Sequence, residues 1–256
     1  MFKYQAGFIG AGNMGGALLS AIAKETKALA VYDKDKAKAA AADAEVAAPD
    51  VLAANSRFVF LGVKPNVLPA VAKQIAPSLQ PETIVVSMAA GVSAAEVCRY
   101  TGTNNVIRIM PNTPVAAGAG MTLYAPASGI TRREETEFLA LMAPTGKLDR
   151  LDEKLMDAGM ALSGCGPAYV YIFCEALADG AVRCGLPREK ALQYAVQTIL
   201  GSARMMEESG KHPGALKDAV CSPGGTTIEG VLALENAGFR GAAASAVTAA
   251  FDKLRG

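Results

Sequence analysis

The chain has 256 residues, 51% apolar and 19% charged, with 25 basic and 24 acidic side chains for a formal charge of +1. That balance supports a sizeable buried core and excludes a disordered chain, while near-neutrality argues against a nucleic-acid duplex or an anionic membrane as the main partner. A single His argues against a His-built metal centre or a Ser-His-Asp hydrolase, and no metal site is expected.

In chain order, residues 4–9, 28–32, 57–63, 83–87, 106–110 and 120–124 read as strands. The chain enters the first of these at once, without a basic-then-apolar leader, so no signal peptide is expected. Ala-rich stretches lie between most of the strands. Two open on helix-start signals, Ser93-Ala94-Ala95-Glu96 and Thr131-Arg132-Arg133-Glu134, in which the hydroxyl accepts from an early amide and the Glu reaches back. Alternation of this kind predicts an α/β fold, a mostly parallel sheet with helices on both faces.

Near Leu151 the pattern changes. No strand is expected from residue 152 onward, and helices are expected over 152–161, 167–184, 187–209, 215–220, 227–237 and 241–254. The domain border is placed there, giving a nucleotide-binding domain over 1–151 and a helical domain over 152–256. The helix at 167–184 is apolar on nearly every side and needs burial on nearly every side. It is either a central core helix or the centre of a dimer interface. The stretch 166–182 carries Glu175 and Asp179 and reads as too short and too charged for a membrane span. Cys98, Cys165, Cys174, Cys184 and Cys221 form neither a CxxC pair nor a zinc-like spacing. They read as thiols of a reducing cytosol, and a cytoplasmic location is expected.

The chemistry begins at Gly10-Ala11-Gly12-Asn13-Met14-Gly15, a GxGxxG run after a strand and at the start of a helix. Gly10 suits the tight turn, Gly12 lets a pyrophosphate approach the backbone, and Gly15 lets helix and strand pack closely, so a dinucleotide is expected. The second strand ends at Asp33, an acid placed to take ribose hydroxyls and repel a 2′-phosphate. Lys34 and Lys36 beside it are placed to bind that phosphate, so the segment leaves NAD against NADP open. Val63-Lys64-Pro65 and Met88-Ala89-Ala90-Gly91 turn at strand carboxyl ends, where a cofactor crosses. Met110-Pro111-Asn112-Thr113-Pro114 is a third such turn, expected to shape the cleft.

In the helical half, Cys221-Ser222-Pro223-Gly224-Gly225-Thr226-Thr227-Ile228-Glu229 combines open amides with a helix start. It is read as a carboxylate-sized anion site, with capping-box spacing between Thr226 and Glu229 and the Thr227 hydroxyl nearby. A capped helix after a tight turn is the structural alternative. His212, before Pro213-Gly214, reads as a turn or capping residue. Glu175 and Asp179 read as structural or solvent-facing, and Lys64 as positioning a nucleotide.

These residues carry a resemblance. FIGAGNMG (8–15), GVKP (62–65), SMAAGV (87–92), RIMPNTP (108–114), SGCGPAYVY (163–171), EALADGAV (175–182) and HPGALKDAVCSPGGTTIEGV (212–231) resemble the pyrroline-5-carboxylate reductases over essentially the whole chain. The resemblance implies a Rossmann-type doubly wound sheet followed by an all-helical domain that interlocks with a second subunit. Homodimers of the family often assemble further, commonly to decamers. It also implies reduction of L-1-pyrroline-5-carboxylate to L-proline, the last step of proline biosynthesis, with NADP as cofactor and NAD as an alternative. Carried over, the cofactor loop falls on Gly10, Gly12, Asn13, Met14 and Gly15, and the nicotinamide-side contacts on Val63, Lys64, Pro65, Ala89 and Ala90. The substrate loop falls on Ser222, Gly224, Gly225, Thr226 and Thr227, with the Thr227 hydroxyl facing the ring nitrogen. Cys165 stands where the family often has Ser, and the segments 33–38 and 43–55 follow the family least.

The proposed chemistry matches the composition. Reducing a carbonyl normally requires a positioned acid, whereas a protonated cyclic imine is already electrophilic and needs orientation, a dry pocket and one hydrogen-bonding group. The β-hydroxyacid dehydrogenases share the two-domain plan but place a catalytic Lys four residues after the second Gly of a Gly-x-Gly turn. Aligned on Gly164-Cys165-Gly166, that position is Val170, which cannot transfer a proton. A non-catalytic dinucleotide sensor is the remaining alternative, and the anion loop at 222–227 argues against it.

Overall fold

The computed structural model describes residues 1–255. It divides into two compact units, one formed by Met1–Cys165 with the chain from Lys253 onward, the other by Gly166–Asp252.

The first unit is built on an eight-stranded sheet of β1 (Tyr4–Ile9), β2 (Leu29–Tyr32), β3 (Glu45–Val46), β4 (Ser56–Leu61), β5 (Ile84–Ser87), β6 (Val106–Met110), β7 (Gly120–Pro126) and β8 (Gly146–Arg150). The order is β3-β2-β1-β4-β5-β6-β7-β8. Every neighbouring pair is parallel except β6 and β7. The two strands that the sequence pattern did not reveal, β3 and β8, are the two edges. An edge strand faces solvent along one side and tolerates charge. The β8 residues Gly-Lys-Leu-Asp-Arg therefore lack the apolar run by which the central strands were recognised.

Alternate side chains of the central strands feed two cores. Ala6, Phe8, Phe58, Phe60, Ile84, Val86, Ile107 and Ile109 face one side, where α1 (Asn13–Ile22) contributes Leu18, Leu19 and Ile22. The rings of Phe8 and Phe60 stack there at 4.5 Å between centroids. On the opposite side Val59, Leu61, Val85 and Val106 meet Leu52, Leu68, Ala72, Ile75 and Val97. Those last five belong to α3 (Pro49–Asn55), α4 (Leu68–Ile75) and α5 (Ala94–Thr101). The expected helices on both faces are thus present, with α2 (Lys36–Ala40) a short turn after β2. Both expected capping boxes form, at Ser93/Glu96 before α5 and at Thr131/Glu134 before α6 (Arg132–Met142).

The predicted border at residue 151 marks the end of the sheet but not the end of the compact unit. Residues 153–164 form a 3-10 turn, then α7 (Met156–Gly159), then a π-turn over Met160–Gly164, rather than the single helix expected. Met156 is fully buried with Met110, Leu123 and Ala125, and the Asn112 amide donates to Ser163 O at 2.9 Å. These contacts keep the segment with the sheet.

The second unit is helical throughout, as expected, with α8 (Gly166–Arg183), α9 (Arg188–Ser209), α10 (Pro213–Ala219), α11 (Thr226–Asn236) and α12 (Phe239–Arg255). Its buried cluster is Ala178, Ala191 and Ala195, all small side chains. Val170, Tyr171 and Ile172 on α8 are 45%, 62% and 67% exposed, so α8 is not the core helix of a single chain. Residues including Val170, Ile172, Phe173, Leu177, Leu234 and Phe239 line an apolar groove of about 620 Å³. Because helical structure continues from the preceding turns, the stretch Glu153–Arg183 is 31 residues long and apolar enough to cross a membrane by length and composition alone. That corrects the expectation that this region is too short, which considered 166–182 by itself.

Arg57 at the start of β4 ties the sheet to α6. Its Nη2 lies 2.7 Å from Glu137 and 3.4 Å from Glu134, with the Arg side chain 18% exposed. The Arg57 hydrogen bond, reinforced by Arg133, holds the Glu137 carboxyl below its ordinary value of 4.5. Burial opposes ionisation of Glu134, yet the Thr131 amide and hydroxyl, with Arg57, outweigh it and depress that group as well. A depressed carboxyl contributes stability that is complete above its unfolded value and lost as pH falls through the folded one. Arg57→Met should lower unfolding free energy at pH 7 by about 1–3 kcal/mol. The deficit against the parent should shrink as pH falls below 4.5, as read from urea unfolding at a series of pH values.

Candidate active site

The sequence places a glycine loop after β1, and the structure gives each glycine a separate physical reason. Gly10 has φ +101°, a left-handed conformation, and a Cβ there would sit 2.5 Å from Gly62 O. A Cβ on Gly15 would run into Gly10 O. Gly12 is different: a Cβ there would meet nothing within 4 Å. Packing therefore requires glycine at positions 10 and 15, whereas the surface over Gly12 is open backbone. Gly12 is also the N-cap of α1, with no side chain capping the helix and no acid in its first turn. Its free amides and the positive end of the helix face that opening, the arrangement that accepts a phosphate.

The sheet order explains why this loop meets the other expected segments. From β1 the chain runs outward through β2 and β3, then returns to β4 on the other side of β1. The loops after β1 and β4 thus flank the point where strand order reverses, the usual crevice for a nucleotide in an open α/β sheet. Gly62 N donates to Ile9 O at 2.8 Å, and Val63, Lys64 and Pro65 follow, with Lys64 and Pro65 exposed. β4 stops at Leu61 rather than 63, because the chain turns at Gly62 against Gly10. Ala89 and Ala90 follow β5 at the same sheet edge, Ala89 buried and Ala90 partly open. Asp33 directly follows β2, and its carboxylate accepts from Ala11 N at 2.7 Å and from Asp35 N at 2.8 Å. Lys34 beside it is exposed. The first unit therefore gathers all the expected cofactor residues along the carboxyl ends of β1, β2, β4 and β5.

The loop Ser222–Thr227 lies in the second unit. Gly225 N donates to Ser222 O at 3.0 Å, closing a turn, and Gly224 takes φ +67°. A Cβ on Gly225 would collide with the Ser222 hydroxyl. The expected Thr226/Glu229 capping box does not form. The helix begins at Thr226 itself, so Gly225 is the N-cap and no side chain caps α11. Thr226 and Thr227 are exposed in the first turn. The early amides of α11 thus lack a side-chain partner, which strengthens the anion-site geometry and removes the capped-helix alternative.

Other residues have structural roles. His212 is the N-cap of α10, its Nδ1 accepting from Gly214 N at 3.1 Å, as expected of a capping residue. Asp179 pairs with Arg188 at 2.5 Å, and Glu175 is exposed. Asn112 was read only as part of a cleft-shaping turn. Its side chain in fact receives Met121 N at 2.9 Å while donating to Ser163 O, bracing the π-turn. Arg108 was missed altogether. It is 5% exposed on β6 and pairs with Glu153 at 3.3 Å and Asp157 at 3.5 Å. Glu153 also accepts from Ala94 N at 2.7 Å, joining the start of α5 to the segment after β8. A lone Arg inside the apolar run Val-Ile-Arg-Ile-Met was the available signal, since a buried charge requires a partner.

Comparisons with known proteins identify the family. The family model described as pyrroline-5-carboxylate reductase dimerisation matches residues 153–256, and the NADP oxidoreductase coenzyme F420-dependent model matches residues 5–91. The chain is 41% identical to pyrroline-5-carboxylate reductase of Escherichia coli K12, over 96% of each chain. It is 40% identical to that of Glycine max, over 99% of this chain and 96% of the relative. The crystal structure of Plasmodium falciparum pyrroline carboxylate reductase with NADP bound superposes with a TM-score of 0.90 at 31% identity, covering 99% of this chain and 98% of that one. The chain is an oxidoreductase and belongs to the pyrroline-5-carboxylate reductase family.

Proposed function

We propose that the protein reduces the C=N bond of L-1-pyrroline-5-carboxylate to give L-proline, the last step of proline biosynthesis, using NADPH with NADH as an alternative donor. The observation that carries this reading is that both glycine loops end on helix starts without a side-chain cap, at Gly12 and at Gly225. Each leaves amides for an anionic group, a pyrophosphate at the first and a carboxylate at the second. In this reading Gly10 to Gly15, including Ala11, Asn13 and Met14, hold the dinucleotide phosphates. Asp33 and Lys34 lie toward its adenosine, and Val63, Lys64, Pro65, Ala89 and Ala90 line its nicotinamide side. Ser222, Gly224, Gly225, Thr226 and Thr227 bind the substrate. Family membership and the NADP carried by the Plasmodium relative support the assignment.

A bound reduced nicotinamide supplies the hydride. The amides of the 222–226 loop fix the substrate carboxylate, and the Thr227 hydroxyl hydrogen-bonds at the ring nitrogen. The imine is protonated before the step, so hydride addition at carbon leaves the C=N electron pair on nitrogen as a neutral amine. No carbonyl-type oxyanion forms, and the modest set of one hydroxyl and several amides is sufficient.

We further assign this chain to a homodimer that assembles to a higher oligomer such as a decamer, in the cytoplasm, without a nucleic-acid or membrane partner. The exposed apolar side chains of α8 and the groove beside them support self-association, because each large apolar side chain withdrawn from water contributes about 1.5–3 kcal/mol. Glu175 and Asp179 on α8 favour a protein partner over lipid. Five free thiols support a reducing compartment.

Three outcomes test these assignments. Thr227→Ala should lower kcat/KM for the imine about 10- to 100-fold, the value of one hydrogen bond at the reacting centre; an unchanged value removes that role. Gly12→Ala should leave thermal stability near the parent's yet weaken dinucleotide binding measured by calorimetry, whereas Gly15→Ala should destabilise the fold itself. Ile172→Glu should shift sedimentation toward monomer, and a parent chain that sediments as a stable monomer without detergent rejects the dimer.

A further inference from the structure

Resting on the dinucleotide reading above, we propose that Asp33 is a specificity-determining residue that opposes the 2′-phosphate of NADPH, so that NADH competes effectively in this chain. The sequence alone left this open because Asp33 stands among Lys34, Asp35, Lys36 and Lys38, and charge counting favours the phosphate. Geometry separates these groups. The Asp33 carboxylate is fixed at both oxygens, Oδ2 by Ala11 N at 2.7 Å and Oδ1 by Asp35 N at 2.8 Å. Ala11 belongs to the loop whose amides face the pyrophosphate, so the carboxylate is anchored to the cofactor loop itself. Asp35 is directed elsewhere, its side chain accepting from Ala37 N at 3.0 Å as the N-cap of α2.

The three lysines differ from Asp33 in order as well as in sign. Each is exposed, and among the described residues none has a hydrogen-bond or ion-pair partner that holds its ammonium in place. Binding a phosphate with such a side chain requires ordering a long flexible stem in solvent, where the attraction is screened. The Asp33 carboxylate is already ordered and part-buried. Each of its oxygens keeps capacity for a further hydrogen bond, and a ribose hydroxyl supplies the donor. A 2′-phosphate supplies no donor at neutral pH and adds like charge beside a fixed anion. The asymmetry therefore reduces the advantage of the 2′-phosphorylated ribose, and NADH competes with NADPH.

The test measures dissociation constants by calorimetry for NADH and NADPH, and for the fragments 5′-AMP and adenosine 2′,5′-bisphosphate, on the parent chain and on Asp33→Asn and Asp33→Ser. The ratio within each variant is compared, so that general loosening of the loop cancels. Both substitutions should shift the ratio toward the 2′-phosphorylated member by about tenfold or more, in cofactor and fragment pairs alike. The ratio of kcat/KM values should follow. Unchanged ratios in both variants, with binding intact, overturn the role of Asp33 and leave the dinucleotide reading standing. Failure of the parent to bind either cofactor overturns both.

Discussion

Much of the first unit depends on one close approach between two backbones. At the carboxyl ends of β1 and β4, Gly10 lies against Gly62, and Gly15 in the first turn of α1 lies against Gly10 O. No Cβ fits at positions 10 or 15. That contact brings α1 down onto the sheet, buries Leu18, Leu19 and Ile22, and aims the helix start along the sheet edge. The same contact ends β4 at Leu61 and turns Val63 to Pro65 into the crevice. Packing thus requires two glycines of the hexapeptide, Gly10 and Gly15, and leaves the surface over Gly12 open.

The two units apply a shared physical device to different sequences. In each, a turn containing a positive-φ glycine leads to a helix whose first amides have no side-chain cap. Elsewhere Asp35, Ser93, Thr131 and His212 supply caps, while α3, α4 and α9 also start without one, so it is the glycine turn before the uncapped helix that sets Gly12 and Gly225 apart. Leaving these two helix starts uncapped forgoes about 1 kcal/mol at each, a loss that an anion bound there would offset. This economy suits an enzyme with one His, because reduction of an activated imine needs placed donors more than a strong general acid.

Legibility followed exposure. The central strands and most of the helices were readable because burial imposes apolar runs and helical spacing, and β1 and β6 emerged at their expected bounds. The edge strands β3 and β8 were not readable, since one solvated side releases them from that requirement. The Thr226/Glu229 spacing misled because the same short pattern fits a box one residue out of register, and only backbone conformation decides which residue is the cap. Asn112 and Arg108 act through partners about 50 residues away, and such pairing leaves no local periodicity. The helix at 167–184 reads as apolar on nearly every side, yet sequence could not say whether one chain covers it. The exposure of Val170, Tyr171 and Ile172 answers that.

By itself the sequence determined the fold class, the two glycine loops and the family, because these rest on local patterns: strand and helix periodicity, glycine spacing, and motifs contiguous in the chain. Tertiary structure decided which glycines packing requires, where the first compact unit ends, and which charge after β2 is held still. Those properties depend on what approaches a residue from elsewhere in the fold. Asp33 and Lys34 are adjacent in the sequence, but only Asp33 is fixed, because only its carboxylate reaches the amide of Ala11.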